Sequence, residues 1–255
     1  MKHIPILRTA RLKLQLKPLS IGNAVRIASM PAHLEQAEAT QFLTCAIESV
    51  TQGPEDPLEW TVQERTLAIA HYIASTSDSP NFVLSESNSG KSKSRYLDYL
   101  DGGHDYPEDE TIDLGEISGG AWRMGHLLGK HVESIERLSG ELSLSPRFHW
   151  IVGGMAAQLI HPGDKPHEGT DDTYDKWLLS RMKLILDCSE HDFEHLLFAV
   201  ESGRSQLYHL FDYTFDADKG GLIILPREAD GDMPPARFPV ASRISKLARE
   251  LAGKP

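Results

Sequence analysis

The feature that most constrains this chain is an apolar stripe near its middle. Phe148, Ile151, Val152, Met155, Ala156, Leu159 and Ile160 recur at i, i+3, i+4, i+7, i+8, i+11 and i+12, which is one face of a 3.6-residue helix. Such a face has to be buried against other elements. Gly153 and Gly154 interrupt it, each at about 1 kcal/mol relative to alanine in a helix interior. That penalty predicts a close backbone approach by a neighbouring element. His161-Pro162-Gly163 ends the helix, because proline has no N–H to donate. After a polar loop over 164–172, Tyr174, Trp177, Leu178, Met182 and Ile185 share the face of a second helix. Ser189 then N-caps a third, with Asp192 in the capping-box position and Phe193, Leu196, Leu197 and Val200 as its stripe. Gly203 reads as the end of that helix, after which Leu207, Leu210 and Phe211 resume the pattern. Three helices joined by short connections bury their stripes against one another, so 146–211 predicts a helical core.

The flanks mix strands and helices. Leu12, Leu14 and Leu16 alternate with Lys13, Gln15 and Lys17, the pattern of a half-buried strand. Ser20 caps a short helix through Ala28, stopped by Pro31. Residues 33–50 read as a helix and 53–57 as a loop. Thr61-x-x-Glu64 is a capping box, opening a helix that carries Val62, Ile69 and Ile73 on one face, with Trp60 packed on the core. Residues 81–84 form a short strand, and Ile112, Leu114 and Ile117 mark another. Residues 122–128 show no clean period, and 130–138 are helical. Asp212–Asp216 and Gly221–Leu225 flank a turn and predict a β-hairpin. A final helix spans 240–252, with Ile244, Leu247, Ala248 and Leu251 inward. The fold class is therefore α+β and predominantly α. Residues 1–84 form an N-terminal α+β region, 85–118 a polar and acidic linker, and 119–255 a helical C-terminal domain with its hairpin at 212–225.

Composition narrows the function. The net charge of −11 excludes nonspecific nucleic-acid binding, which needs clustered Lys and Arg. Cys45 and Cys188 are the only cysteines, so the chain is no disulfide scaffold and suits a reducing compartment. Residues 1–16 read as a strand, not a signal peptide. No apolar run reaches the roughly 18 residues of a membrane-spanning helix. No membrane and no nucleic-acid partner are expected.

Several motifs approach a chemistry without completing it. His191-Asp192-Phe193-Glu194-His195 fits H-x-x-E-H, in which two histidines hold zinc and the glutamate activates water. At about 100° per residue, however, His191 and His195 fall opposite the apolar stripe, toward solvent, and no third ligand is evident. A solvated helix face is the preferred reading, and a metal-dependent hydrolase on His191, Glu194 and His195 is the alternative. Gly90-Lys91-Ser92 matches the end of a phosphate-binding loop, but Ser85 stands where its first glycine belongs. Asp98, Asp101, Asp105, Glu108, Asp109, Glu110, Asp113 and Glu116 form an acidic run with no calcium-loop spacing, and it reads as a solvated face or a docking segment for a basic surface. Asp216-x-Asp218-x-Gly220-Gly221 imitates an EF-hand start, yet Arg227 occupies the position of the bidentate glutamate. His161, Asp164 and His167 have the residue types to bind a metal in a loop, and polar surface is the preferred reading there. The tail, with Arg237, Arg243, Lys246, Arg249 and Lys254, is basic enough to pair with the acidic run. Cys188 with a histidine would need a proximity that spacing does not fix, and the twelve histidines read as surface residues with half-buried neighbours. No catalytic, cofactor-binding or metal-binding residue is assigned, and no cofactor is expected.

Four stretches carry a resemblance: Thr9-x-Arg11-Leu12-x-Leu14, Trp60-Thr61-Val62-x-Glu64-Arg65, Tyr96-x-Asp98-Tyr99-Leu100-Asp101-Gly102-Gly103, and His149-Trp150-Ile151-x-Gly153-Gly154-Met155. With them the chain resembles virion-associated tail, baseplate or tail-assembly proteins of contractile-tailed bacteriophages. The resemblance implies a structural or assembly role through protein–protein contacts. It implies other tail or baseplate proteins, or further copies of the chain, as partners. It implies a location in the virion tail after synthesis in the host cytoplasm, and it carries over no catalytic residue. A tail-assembly chaperone absent from the finished particle is a variant of the same expectation.

Overall fold

Leu12, Leu14 and Leu16 are all 1% exposed or less, and one sheet is built around them. A computed structural model describes residues 4–76, 83–85, 94–95, 110–117, 120–161, 164, 167, 171–208, 210, 212–215, 222–225 and 244–253. Strand β1 (Leu7–Arg8) pairs antiparallel with β2 (Lys13–Leu16), and β2 pairs antiparallel with β3 (Ile47–Gln52). The β2–β3 register shifts between Lys13 and Leu14 and again between Gln15 and Leu16. Leu14 thus faces Val50 and Leu16 faces Ile47.

The chain divides into two compact units. The first comprises Met1–Tyr106, Leu210–Thr214 and Ile223–Pro255. Helix α1 (Ile21–Ala28) is capped by Ser20, whose side chain accepts from the Asn23 N–H, as the sequence predicts. Helix α2 (Glu35–Ala46) is shorter than the helix expected over 33–50, because Ile47 leaves helical geometry and its segment joins the sheet. A 3₁₀ turn (Pro57–Glu59) leads into α3 (Val62–Thr76). The helices and sheet enclose a core containing Phe42, Leu43, Trp60, Ile69 and Tyr72. Phe42 and Tyr72 meet edge to face with centroids 4.8 Å apart. Two short strands, β4 (Val83–Ser85) and β5 (Ser94–Arg95), also pair antiparallel.

The second unit comprises Pro107–His209 and Phe215–Leu222. Its sheet runs β6 (Thr111–Ile117), β7 (Gly120–Gly125) and β8 (Leu159–Ile160), antiparallel throughout. Strand β7 occupies a stretch where the sequence shows no period. Four helices accompany the sheet: α4 (Gly129–Arg137), α5 (Pro146–Gln158), α6 (Asp171–Leu186) and α7 (Glu190–Leu207). The predicted stripe becomes α5, capped by Ser145 with Pro146 at its first position. It stops at Gln158, before His161-Pro162-Gly163, because Leu159 and Ile160 pair with Met124 and Arg123 of β7.

Two helix-interior glycines of this unit, Gly153 and Gly203, work by proximity. A Cβ on Gly153 would lie 2.8 Å from Ile135 Cγ2, so α5 meets α4 at that point. Gly203 does not end α7. The helix continues to Leu207, and Gly203 seats it on the sheet, where a Cβ would lie 2.8 Å from Leu114 Cδ2 and 2.9 Å from Met124 Sδ.

The remaining strands, β9 (Asp212–Phe215) and β10 (Leu222–Leu225), pair with each other, and the turn expected between them lies outside the described residues. The last helix, α8 (Lys246–Leu251), is shorter than the expected 240–252 and is capped by Ser245. Ile244 and Ala248 are buried in the first unit's core, whereas Leu247 and Leu251, also expected inward, are 58% and 61% exposed. The fold is α+β and predominantly helical, with eight α-helices and two three-stranded sheets among the described residues.

Candidate functional site

The H-x-x-E-H residues lie on the outer face of α7. His191, Glu194 and His195 are all exposed, while Leu196 and Val200 turn inward. The Ser189 cap sets the start of the helix: its hydroxyl accepts from the Asp192 N–H at 3.1 Å and donates to Asp192 Oδ2 at 2.7 Å. The two imidazole centroids are 4.1 Å apart. No group of three or more His, Cys, Asp or Glu side chains converges for a metal among the described residues. Cys188, next to the cap, is held above its ordinary pKa by burial and by Asp192 and Asp187. That lowers its thiolate fraction and its nucleophilicity.

A denser constellation surrounds α6. Arg181 donates from Nε to Ala156 O at 2.9 Å and from Nη2 to Leu159 O at 2.6 Å. Those carbonyls end α5 and would otherwise lack intrahelical partners. Its third arm, Nη1, meets Asp164 Oδ2 at 2.7 Å, and its guanidinium lies 4.8 Å from the Trp177 ring centroid. Burial opposes ionisation of Asp164. The His161 N–H and the Arg181 guanidinium outweigh it and hold the carboxyl below the usual range. Within the stretch read as polar surface, His161 and Asp164 bond to each other through both backbone and side chain, and the His161 ring stands edge-on to Trp122, centroids 5.0 Å apart. His167 packs on Tyr174 and Trp177 at 5.5 and 5.7 Å.

His131 extends this aromatic group. Its ring stacks on Tyr174, 5.8 Å between centroids and 9° between planes. Its Nδ1 accepts the Leu128 N–H at 3.2 Å, so the side chain caps the start of α4. Desolvation, and secondarily the Lys130 charge, lower its pKa to about 3. The acceptor role at Nδ1 fits a neutral ring. On the next turn Asp175 accepts from Ser134 and takes two bonds from Arg137, each 2.8 Å. Burial raises the Asp175 pKa, but Arg137 and Ser134 outweigh it and the carboxyl stays below its ordinary range.

The histidines are not all surface residues. His149 is 4% exposed, and its Nε2 lies 2.7 Å from the Ile135 carbonyl. His126 is also buried, at 9%. Sequence reasoning missed these two, and it missed Arg181, whose partners lie on other elements. The local signal for His131 was its position three residues after Leu128 at a helix start.

In the first unit the capping box is complete. The Thr61 N–H donates to Glu64 Oε2 at 2.9 Å, and the Glu64 N–H to Thr61 Oγ1 at 3.2 Å. Arg11 donates twice to the same carboxylate and once to Glu59 O. Arg65 ties α3 to α2 through Gln36 O and Thr40 Oγ1. Trp60 is fully buried, with its indole N–H on Pro54 O. These groups hold elements together. Gly90-Lys91-Ser92, the acidic residues Asp98 to Asp109, the loop Asp216 to Gly221 with Arg227, and Arg237, Arg243 and Lys254 lie outside the described residues.

No protein-family model, curated protein or solved structure matches this chain.

Proposed function

We propose that this chain is a structural or assembly component of a bacteriophage tail or baseplate, made in the host cytoplasm and acting through protein–protein contacts. Its partners are other tail or baseplate proteins or further copies of itself. The observation that carries the reading is where the chemistry-bearing side chains go. Arg11, Glu64, Arg65, Arg137, Asp175, Asp164 and Arg181 all bond across elements of their own unit. Of the residues behind the tail-protein resemblance, Leu12, Leu14, Trp60, Trp150 and Met155 are buried. Such side chains maintain a shape. The shape offers apolar side chains to a partner, notably Leu184 at 67% exposure and Phe198 at 74%. Aromatic residues are favoured in interface cores. Among the described residues no helix is long and apolar enough to cross a membrane.

The test is proteomic and direct. Particles and tail intermediates of the encoding phage are purified, and the tagged chain is captured during assembly. The expected result is the chain in the tail fraction, or bound to a tail protein before tails are complete. The second outcome alone identifies the chaperone variant. A chain that stays out of particles and binds no tail component at any stage overturns the reading.

A further inference from the structure

Helix α7 places two imidazoles one turn apart on its exposed face, at His191 and His195. The rings lie 4.1 Å apart between centroids, with 57° between planes. Neither imidazole has a hydrogen bond or ion pair among the described residues, so the ring nitrogens remain available for another ligand. Residues four apart on a helix lie on the same face. We propose that His191 and His195 form a surface chelate for a divalent copper, nickel or zinc ion.

The chemistry selects that class. Imidazole suits these borderline metals, whereas magnesium and calcium take oxygen ligands. No third His, Cys, Asp or Glu converges with the pair among the described residues. The chain supplies two ligands, and water or another molecule fills the remaining positions. The helix N-terminus carries partial positive charge and disfavours a cation. Glu190, Asp192 and Glu194, all in the same first turns, offset it. This chelate differs from a zinc-hydrolase site: it requires no cleft and no general base, so Glu194 is dispensable. It is independent of the tail-component reading.

The experiment is equilibrium dialysis of the full chain against nickel chloride, with the variants H191A, H195A, H191A/H195A and E194Q. All the altered side chains are exposed, and circular dichroism confirms that each variant folds. The wild type is expected to hold one ion per chain more than the double variant. Each single variant should bind that ion at least ~10-fold more weakly, since loss of even an outer-shell partner costs about 10- to 100-fold. E194Q should bind like the wild type, and excess magnesium should not displace the nickel. A double variant that binds nickel as tightly and to the same stoichiometry as the wild type overturns the proposal. Magnesium displacement overturns it as well.

Discussion

Arg11 and Glu64 are 53 residues apart in sequence and form a two-armed ion pair, Nε to Oε1 at 2.9 Å and Nη2 to Oε2 at 2.5 Å. The Glu64 side chain is 0% exposed and that of Arg11 21%. The same carboxylate accepts the Thr61 N–H. One buried anion thus fixes the start of α3 and ties it to Arg11, two residues before β2. Removing Arg11 strands a charge in the core, and breaking a buried pair from one side costs about 3–5 kcal/mol. The partial exposure of Arg11 puts R11A at the lower end of that range. R11A/E64Q should cost less than the sum of the two single changes, because the second substitution removes the orphaned charge. Urea midpoints of the four proteins measure this, and strict additivity would show that the pair is not coupled.

Two glycines should respond differently to a methyl group. At Gly153 the added Cβ meets Ile135 Cγ2 and Cγ1 at 2.8 and 2.9 Å. These atoms are attached to a β-branched carbon and move little. G153A should therefore destabilise by about 1–2 kcal/mol, an overpacking cost partly offset by helix propensity. I135A should relieve that clash when combined with it. At Gly203 the nearest atoms are Leu114 Cδ2, Met124 Sδ and Ile112 Cδ1, the far ends of side chains that can turn away. G203A should cost less than G153A in the same thermal melts. The reverse order would sink this account of the two contacts.

Acid stability should begin to fall well above the carboxylate range. His131 stays neutral in the folded chain to about pH 3, while an unfolded histidine protonates near pH 6.5. Between those values the unfolded state binds more protons, so stability is lost as pH drops, by up to about 1.4 kcal/mol per pH unit. Asp164 and Asp175 have depressed pKa values. Their contribution is intact above the ordinary carboxylate value and disappears only below it. His131 thus contributes to the slope between about pH 6 and pH 4.5. H131Q, which can still accept from the Leu128 N–H, should flatten it in denaturation midpoints measured against pH. An unchanged slope would shift the effect to other groups.

What the sequence reveals and what it hides follows from distance along the chain. The Thr61–Glu64 box and the Ser20 and Ser189 caps involve residues three apart, so the pattern holds the whole interaction. The outward position of His191 and His195 was legible for the same reason, since a helical wheel is local. Strand β3 was hidden by its bulged register. Ile47 and Val50 both face β2 although they are three apart, and that spacing imitates a helix. Strand β7 was hidden because glycine sits at both ends and only Trp122 and Met124 mark its inner face. The burial of His149 and the role of Arg181 depend on carbonyls 14 to 25 residues away, which no short motif encodes.

Arg181 allows the sharpest comparison between two cations. Its Nε and Nη2 donate to the Ala156 and Leu159 carbonyls while Nη1 meets Asp164. Three acceptors in different directions require a planar fork, which lysine lacks. R181A leaves two helix-end carbonyls and a partly buried carboxylate without their donor. At about 1.5–3 kcal/mol per charged hydrogen bond, discounted for water that reaches the half-buried Asp164, the expected loss is about 2–4 kcal/mol. R181K should recover only the Asp164 arm and lie between R181A and the wild type. D164N should cost least, because asparagine still accepts the His161 N–H and leaves both carbonyl bonds in place. Urea denaturation ranks the three. An R181K protein as stable as the wild type would mean that charge alone, and not the fork, holds the end of α5.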